Sequence, residues 1–417
     1  MIALFGAALM ALSVLAGCGS DTPPETTTTD EPSADDTTGA TTRADADLVI
    51  WSDANRSKAL EASLKTWADE QGITAAIQIV DELQNMFVTA NEAGNGPDLV
   101  IGANDWTGNL VQNSSIVPVQ ISEDGLNPAA VDSVTYQGQV YGAPYALETL
   151  GLYSNPKFTA ESAPATIEAM VAAAAAGGTE GAAENPLCLQ VGTDGDAYHM
   201  QPLYTSAGGY IFGTNTDGTY NPDDVGVGQA GSLVAAQKIG ALGADGVLKT
   251  SIDSTNSISL FAEGKCAYLV SGPWALQTLQ PANMEFGLGS IPGFEGLNPA
   301  QPPLGVQAFF VASKAKNTAF AQQFVNDLLA DTTITQAMYD LDPRVPVQDA
   351  LSAAIATSDP IMAQFNDVAA TAAAMPSISQ MNAVWGPLGK AQAAIIGGAD
   401  PDSTMISAGD EIKSTIG

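Results

Sequence analysis

The chain has 417 residues, 45% of them hydrophobic, and sets 46 acidic residues against 13 Lys and Arg for a net charge of −33. So acidic a chain lacks the basic footprint of a nucleic-acid binder and is expected to stay soluble and be repelled by anionic surfaces. With 3 cysteines, no close Cys pair and 1 histidine, His199, the usual ligand patterns of a metal site are missing, and no metal is expected.

The chain opens on an uncharged apolar run, Ile2 to Ala16, that ends in Leu15-Ala16-Gly17-Cys18. Crossing a bilayer as a helix needs roughly 20 apolar residues. The run instead has the length of a secretory signal core, with small residues before the cut. The L-A-G-C ending resembles a bacterial lipobox. That resemblance implies removal of residues 1–17 and lipidation of Cys18, hence an extracytoplasmic protein anchored to the membrane. A plain secretory signal with a coincidental cysteine is the alternative. Met1-Ile2 lacks the basic residues of such a signal, which leaves its start open.

Residues 18–46 are rich in Thr, Pro, Asp and Glu and nearly free of large apolar side chains. They cannot bury enough surface to offset chain entropy and read as a disordered acidic linker. The spacer Gly19 to Ala46 holds seven acids and one arginine, so −27 of the −33 charge stays on the rest of the chain. The roughly 370 residues that remain exceed what one hydrophobic core serves, so two lobes are expected.

Asp47-Leu-Val-Ile-Trp51 reads as a buried strand. Ser57 to Gln71 follows as a helix with Leu60, Leu64, Trp67 and Ala68 on one stripe. Ala75 to Val80 is a strand, Leu83 to Glu92 a helix ended by Gly94, and Asp98 to Ile101 a third strand. This alternation predicts a parallel sheet covered on both faces, with ligands beyond the carboxyl ends of its strands. Ser52 to Arg56 and Gly102 to Gly108 occupy those ends.

Tyr136 to Gly142 has the pattern of a hairpin, and Pro144 to Tyr153 that of a crossing segment. Further helices are expected at Thr166 to Ala176, Pro202 to Ala207, Gly228 to Leu242, Ser257 to Glu263 and Asn317 to Ala330, with a strand at Leu304 to Ser313. The C-terminal third reads as mostly helical. Cys188 and Cys266 lie in strand-like runs, as one disulfide or as two buried thiols; an oxidising compartment favours the disulfide. P-loop, GxGxxG, GxSxG and HExxH patterns are absent, and no cofactor is expected.

Of five tryptophans, Trp51 and Trp67 fall at core positions, while Trp106, Trp274 and Trp385 sit in turns flanked by Gly or Pro. Flat aromatic faces suit the apolar face of a pyranose ring, and nearby carboxylates accept its hydroxyl protons. Three such turns, with Tyr145, Tyr198 and acids close by in sequence, point to a sugar cleft. For any one tryptophan alone a satellite core role is the competing explanation.

Asp47-Leu-Val-Ile-Trp51, Gly96-Pro97-Asp98-Leu99-Val100, Tyr141-Gly-Ala-Pro-Tyr145 with Glu148, Asp224-Val-Gly-Val-Gly228, Ser271-Gly-Pro-Trp274 and Met375-Pro-Ser-Ile-Ser-Gln-Met381 with Trp385 together resemble the maltose/maltodextrin-binding proteins, the solute receptors of ABC importers. The similarity is collinear over nearly all of residues 47–417. It implies an α/β, two-lobed periplasmic-binding-protein-like fold of type II, each lobe a sheet flanked by helices, with a hinge between. The lobes would be 47–148 plus 305–353 and 149–304 plus 354–417. It also implies an oligosaccharide ligand, permease subunits as partners, and a monomer that works by lobe closure.

Carried over by position, Trp274 and Trp385 form a stacking platform with Tyr198 beside them, and Asp105, Glu148 and Asp196 accept hydroxyls. Asn55 and Arg56 replace an Asp-Lys pair of the family. Gly102 stands for a family Trp, Trp106 for an Arg, and Gly389 for a second Arg with Lys390 next to it. The ligand-contact set is thus Asn55, Arg56, Asp105, Trp106, Glu148, Asp196, Tyr198, Trp274 and Trp385. A receptor for a different di- or oligosaccharide or a polyol is the alternative the altered positions raise. A glycoside hydrolase, drawing two carboxylates from Asp105, Glu148 and Asp196, is the other.

Overall fold

The computed structural model describes residues 42–216 and 218–417. The signal peptide, Cys18 and the linker up to residue 41 lie outside the described residues. The strands of the two principal sheets are β1 (Leu48–Ser52), β2 (Ala75–Ile79), β3 (Leu99–Ala103), β4 (Gly142–Glu148), β5 (Gly151–Ser154), β6 (Asn185–Leu189), β7 (Cys266–Ser271), β8 (Gly287–Gly289), β9 (Pro303–Val311), β10 (Val345–Pro346) and β11 (Ala373–Ala374). The first sheet has seven strands in the order β10-β4-β9-β3-β1-β2, with β11 paired to β9; the second has four, in the order β8-β5-β7-β6. Helices flank both, which gives the α/β, two-lobed architecture expected.

The early reading of strands and helices holds in detail from residue 48 to residue 103. Helix Ala54–Gln71 starts at Asp53, whose side chain accepts from Arg56 N, and stops at Gly72 in the left-handed conformation. Its Leu60, Leu64, Trp67 and Ala68 are buried. Trp67 meets Phe324 edge-on at 5.1 Å and donates its indole N–H to Asp327 at 2.8 Å. Trp51 is fully buried. Fully burying a side chain such as Leu60 contributes about 1.5–3 kcal/mol.

The sheet is mixed, not parallel. Strands β1, β2 and β3 run parallel, but β9 is antiparallel to β3 and to β4, and β10 is antiparallel to β4. Local periodicity sees the helix between successive strands; it does not see a strand such as β9 that returns some two hundred residues later. The hairpin Thr135–Tyr136 with Gln139–Val140 turns on Gln137 and Gly138, at φ 50° and 77°. That pair of positive values defines the tight turn matched to strand twist.

The expected crossing segment comprises β4 in the first sheet and β5 in the second, with only Thr149 and Leu150 between. Helix Ala197–Ser206 begins five residues before the expected Pro202, because Asp196 caps it and Pro202 is carried inside. Cys188 on β6 and Cys266 on β7 form a disulfide, both fully buried. One hydrophobic core runs through the first sheet and takes in Tyr153, Phe261 and Phe365; a second covers the other side of β5, β6 and β7 with Leu152, Leu189 and Tyr268.

The last five residues of the segment expected as linker, 42–46, belong to the fold. Arg43 reaches back to ion-pair with fully buried Asp98 at the head of β3, while its other amino group donates to Ala44 O and Ala46 O at 3.1 Å. Gln78 of β2 donates to Thr42 O and accepts from Ala44 N. Sequence reading missed this because Arg43 is one charged residue in a polar run, and its partner is 55 positions away.

Candidate functional site

A cavity of about 540 Å³ opens beyond the carboxyl end of β3, lined there by Ala103, Asp105, Trp106 and Glu148. Its other wall is the loop and helix start Asp194 to Tyr198, with Met375, Trp385, Gly386 and Lys390. Another cavity, about 510 Å³, lies between helix Ala54–Gln71 and residues 327–334. Its Trp67 indole already bonds Asp327 and its Gln71 accepts from Gln323. Of these two cavities, the first gathers aromatic faces with unpaired polar groups.

Asp105 sits in the short 3-10 turn Asn104–Trp106. Buried Asn104 fixes that turn, accepting from Val306 N at 3.0 Å and donating to Met375 O at 3.4 Å. Trp385 Nε1 donates to Asp105 Oδ2 at 2.8 Å, while Asp105 Oδ1 is buried without a partner. Burial, aided by Glu148 and opposed by the Trp385 bond and a backbone hydrogen bond, raises the Asp105 carboxyl to about 6.

Glu148, the last residue of β4, accepts from Gln307 Nε2 at 2.6 Å and from Arg344 Nε at 2.8 Å. Burial alone would raise its pKa, but Arg344, Arg56 and these hydrogen bonds hold it below the ordinary value. Burial lifts the Tyr198 hydroxyl well above its usual range, so it stays protonated; that hydroxyl too is buried without a partner.

Tyr198 stands between two indoles, 6.5 Å from the ring of Trp274 and 6.5 Å from that of Trp385. Two glycines set the tryptophans. A Cβ on Gly102 would lie 2.2 Å from the Trp106 ring, and one on Gly272 would lie 2.1 Å from the Trp274 ring. Each indole therefore lies directly on a glycine backbone, and Trp106 fills the space above Gly102 that a side chain there would need. Gly389 has a similar role: a Cβ on Gly195, at φ 79°, would come within 1.8 Å of Gly389 O. The absence of a side chain at Gly195 lets the loop before Asp196 settle onto the backbone of helix Trp385–Ile396, and a Cβ on Gly389 would itself come to 3.1 Å from Gly195 C.

The expected residues separate into three groups. Asp105, Trp106, Glu148, Asp196, Tyr198 and Trp385 line one cavity. Trp274 packs behind Tyr198 and meets the His199 ring edge-on at 6.0 Å. Arg56 is ion-paired to Asp53 at 2.7 Å and lies against Tyr145 and Glu148, off the cavity wall; Asn55 is exposed and is not brought to it.

Asp196 is committed to local structure. It caps helix Ala197–Ser206 through His199 N, pairs with His199 Nδ1 at 2.9 Å and accepts from Gln190. Although burial opposes it, His199 and these bonds hold its carboxyl below the ordinary value. Sequence reasoning missed Asp194, Met375 and Lys390 on the wall and Asn104, Gln307 and Arg344 behind it. The fold brings the last two to Glu148 from 159 and 196 positions away, a distance no local pattern signals.

This arrangement can stack flat ring faces against Trp106, Tyr198 and Trp385 and accept hydroxyl protons at Asp105 and Glu148. The chain belongs to the bacterial extracellular solute-binding proteins, whose family model matches residues 59–381. Among its relatives, the galactooligosaccharide-binding protein of Bacillus subtilis is 26% identical over 384 residues, covering 89% of each chain. The maltooligosaccharide ABC transporter solute-binding lipoprotein of Streptococcus pneumoniae is 26% identical over 403 residues, covering 92% of this chain and 89% of the relative. The maltotriose-binding protein of Pyrococcus abyssi is 25% identical over 354 residues, covering 81% and 75%.

Proposed function

We propose that this protein is the extracytoplasmic, lipid-anchored receptor of an ABC sugar importer, and that its cleft captures a maltodextrin-type oligosaccharide and hands it to permease subunits. The observation that carries this is the convergence of three aromatic rings and four carboxylates on one cavity, with Asp105 Oδ1 and the Tyr198 hydroxyl left unpaired. Buried polar groups are normally hydrogen-bonded, and at a cavity wall the hydroxyls of a ligand can supply the bond. Residues 47–148 with 305–353 and 149–304 with 354–417 act as the two lobes, working as a monomer and closing because the sugar contacts both walls in the closed state.

No chemistry on the ligand is required. Glu148 is held ionised by Arg344 and Gln307, a state suited to accepting hydroxyl protons. A second reading, a receptor for a differently linked oligosaccharide, is favoured by the reshaped walls at Gly102 and Gly389 and by the galactooligosaccharide-binding relative.

Isothermal titration calorimetry against maltose, maltotriose, a longer maltodextrin, a galactooligosaccharide, trehalose and sucrose tests both. Micromolar binding to a maltodextrin supports the first; binding only to the galactooligosaccharide replaces it with the second; shortened products after incubation would refute both. Asp105 adds a signature. Its carboxyl keeps a proton up to about pH 6, and a sugar hydroxyl donates more strongly to a carboxylate than to a neutral acid. Affinity is therefore expected to rise between about pH 5 and 7, and Asp105→Asn is expected to flatten that rise.

A further inference from the structure

We propose that Arg344 is a positioning residue for ligand capture, fixing Glu148 at the cleft wall while being fixed itself, through Asp342, by the turn that carries Trp274. The proposal rests on the oligosaccharide reading. Arg344 Nε donates to Glu148 Oε2 at 2.8 Å, and its NH1 group pairs with Asp342 Oδ2. Gln277 Nε2 donates to Asp342 Oδ1 at 2.8 Å and to Leu341 O at 3.1 Å. Gln277 belongs to helix Leu276–Leu279, which follows directly from the turn Pro273–Ala275 that holds Trp274.

A continuous polar chain thus runs Gln277, Asp342, Arg344, Glu148, Gln307. It starts just past β7 of the second sheet and ends on β9 of the first. Glu148 is also where β4 leaves the first sheet to cross to the second. The side chains of Arg344, Asp342 and Glu148 are only 7%, 3% and 10% exposed, so water screens the chain little.

The charged and titratable groups facing Glu148 are Arg344, Arg56, Asp105, Tyr145 and Tyr198. Of these only Arg344 bonds its carboxylate. Without that arginine, burial favours the protonated acid and frees the side chain to turn. A ligand contact on one wall is in this way held in register with the aromatic support on the other.

The test uses full-length protein, maltotriose titrations between about pH 5 and 8, and melts without sugar over the same range. Arg344→Met is expected to bind at least tenfold more weakly at pH 7. Its affinity should fall more steeply toward acid than that of the wild type; Asp105 contributes to both profiles, so the difference reports Glu148. Arg344→Lys should restore much of the pH profile, and Gln277→Ala should weaken binding several-fold with little change in melting. Binding by Arg344→Met within twofold of wild type, with the same profile, overturns the proposal.

The melts decide independently of sugar. Without Arg344 the folded-state Glu148 value rises, so the variant's deficit should be largest near pH 8, where an uncompensated anion is buried. It should shrink toward pH 5 as the acid takes up its proton. A pH-independent deficit assigns Arg344 a packing role alone and overturns the proposal. If Arg344→Met does not fold, Arg344→Gln, which also removes the charge, carries the same comparisons. Silence of the wild type toward every oligosaccharide refutes the oligosaccharide reading, while the melts still judge Arg344.

Discussion

Replacing Arg43 by alanine is expected to destabilise the protein by about 3 kcal/mol, the lower part of the range for breaking a buried ion pair. Arg43 and Asp98 are 5% and 0% exposed, so solvent can do little for the carboxylate left behind. The loss stays at the lower end because Asp98 keeps two backbone donors, Val49 N at 2.8 Å and Asn317 N at 2.9 Å. Starting the chain at Asp47, a natural choice if 18–46 is read wholly as linker, should cost as much. Denaturant or thermal melts measure the loss. Adding Asp98→Asn to Arg43→Ala should recover part of it, since no bare charge then remains buried. Equal melting of wild type and Arg43→Ala would show that the clasp adds nothing to the fold.

Trp385→Ala is expected to weaken oligosaccharide binding about a hundredfold. Two effects combine. The stacking face goes, a loss on the order of 1–3 kcal/mol by analogy with bases stacked on aromatic side chains. Asp105 also loses its one hydrogen-bond donor, the indole N–H at 2.8 Å, and its carboxyl should rise above about 6. Trp385→Phe separates the two, keeping a ring without the N–H. Calorimetry at about pH 7 should place it between wild type and alanine. An affinity for Trp385→Ala within threefold of wild type would remove this residue from the site.

Residues 48–103 were legible in the sequence because each strand and helix there is a local pattern with its own stop signal, such as Gly72. The loop Gly102 to Gly108 was found for the same reason: a strand end can be located without knowing what it faces. What faces it was only partly legible. Trp274 was expected on the platform; its ring lies 6.5 Å from that of Tyr198 but does not itself line the cavity. Asn55 and Arg56 follow a strand end but do not line the cavity: Asn55 is exposed, and Arg56 pairs with Asp53 and lies behind the wall against Tyr145 and Glu148. Asp196 reads as a free acid in sequence; as a helix cap its oxygens already have donors. The partners of Glu148 come from the far end of the chain, and only the mixed sheet, itself unexpected, brings Gln307 beside it.

The backbone contact between Gly195 and Gly389 constrains how the cleft can change over generations. A Cβ at Gly195 would lie 1.8 Å from Gly389 O, so that loop cannot gain a side chain while the helix stays where it is. A bulky or cationic residue at position 389 would likewise have to lift the loop that carries Asp194 and Asp196. Every residue at position 389 keeps that carbonyl, so no replacement there makes room at position 195: the loop is held to glycine whatever side chain the neighbouring helix carries.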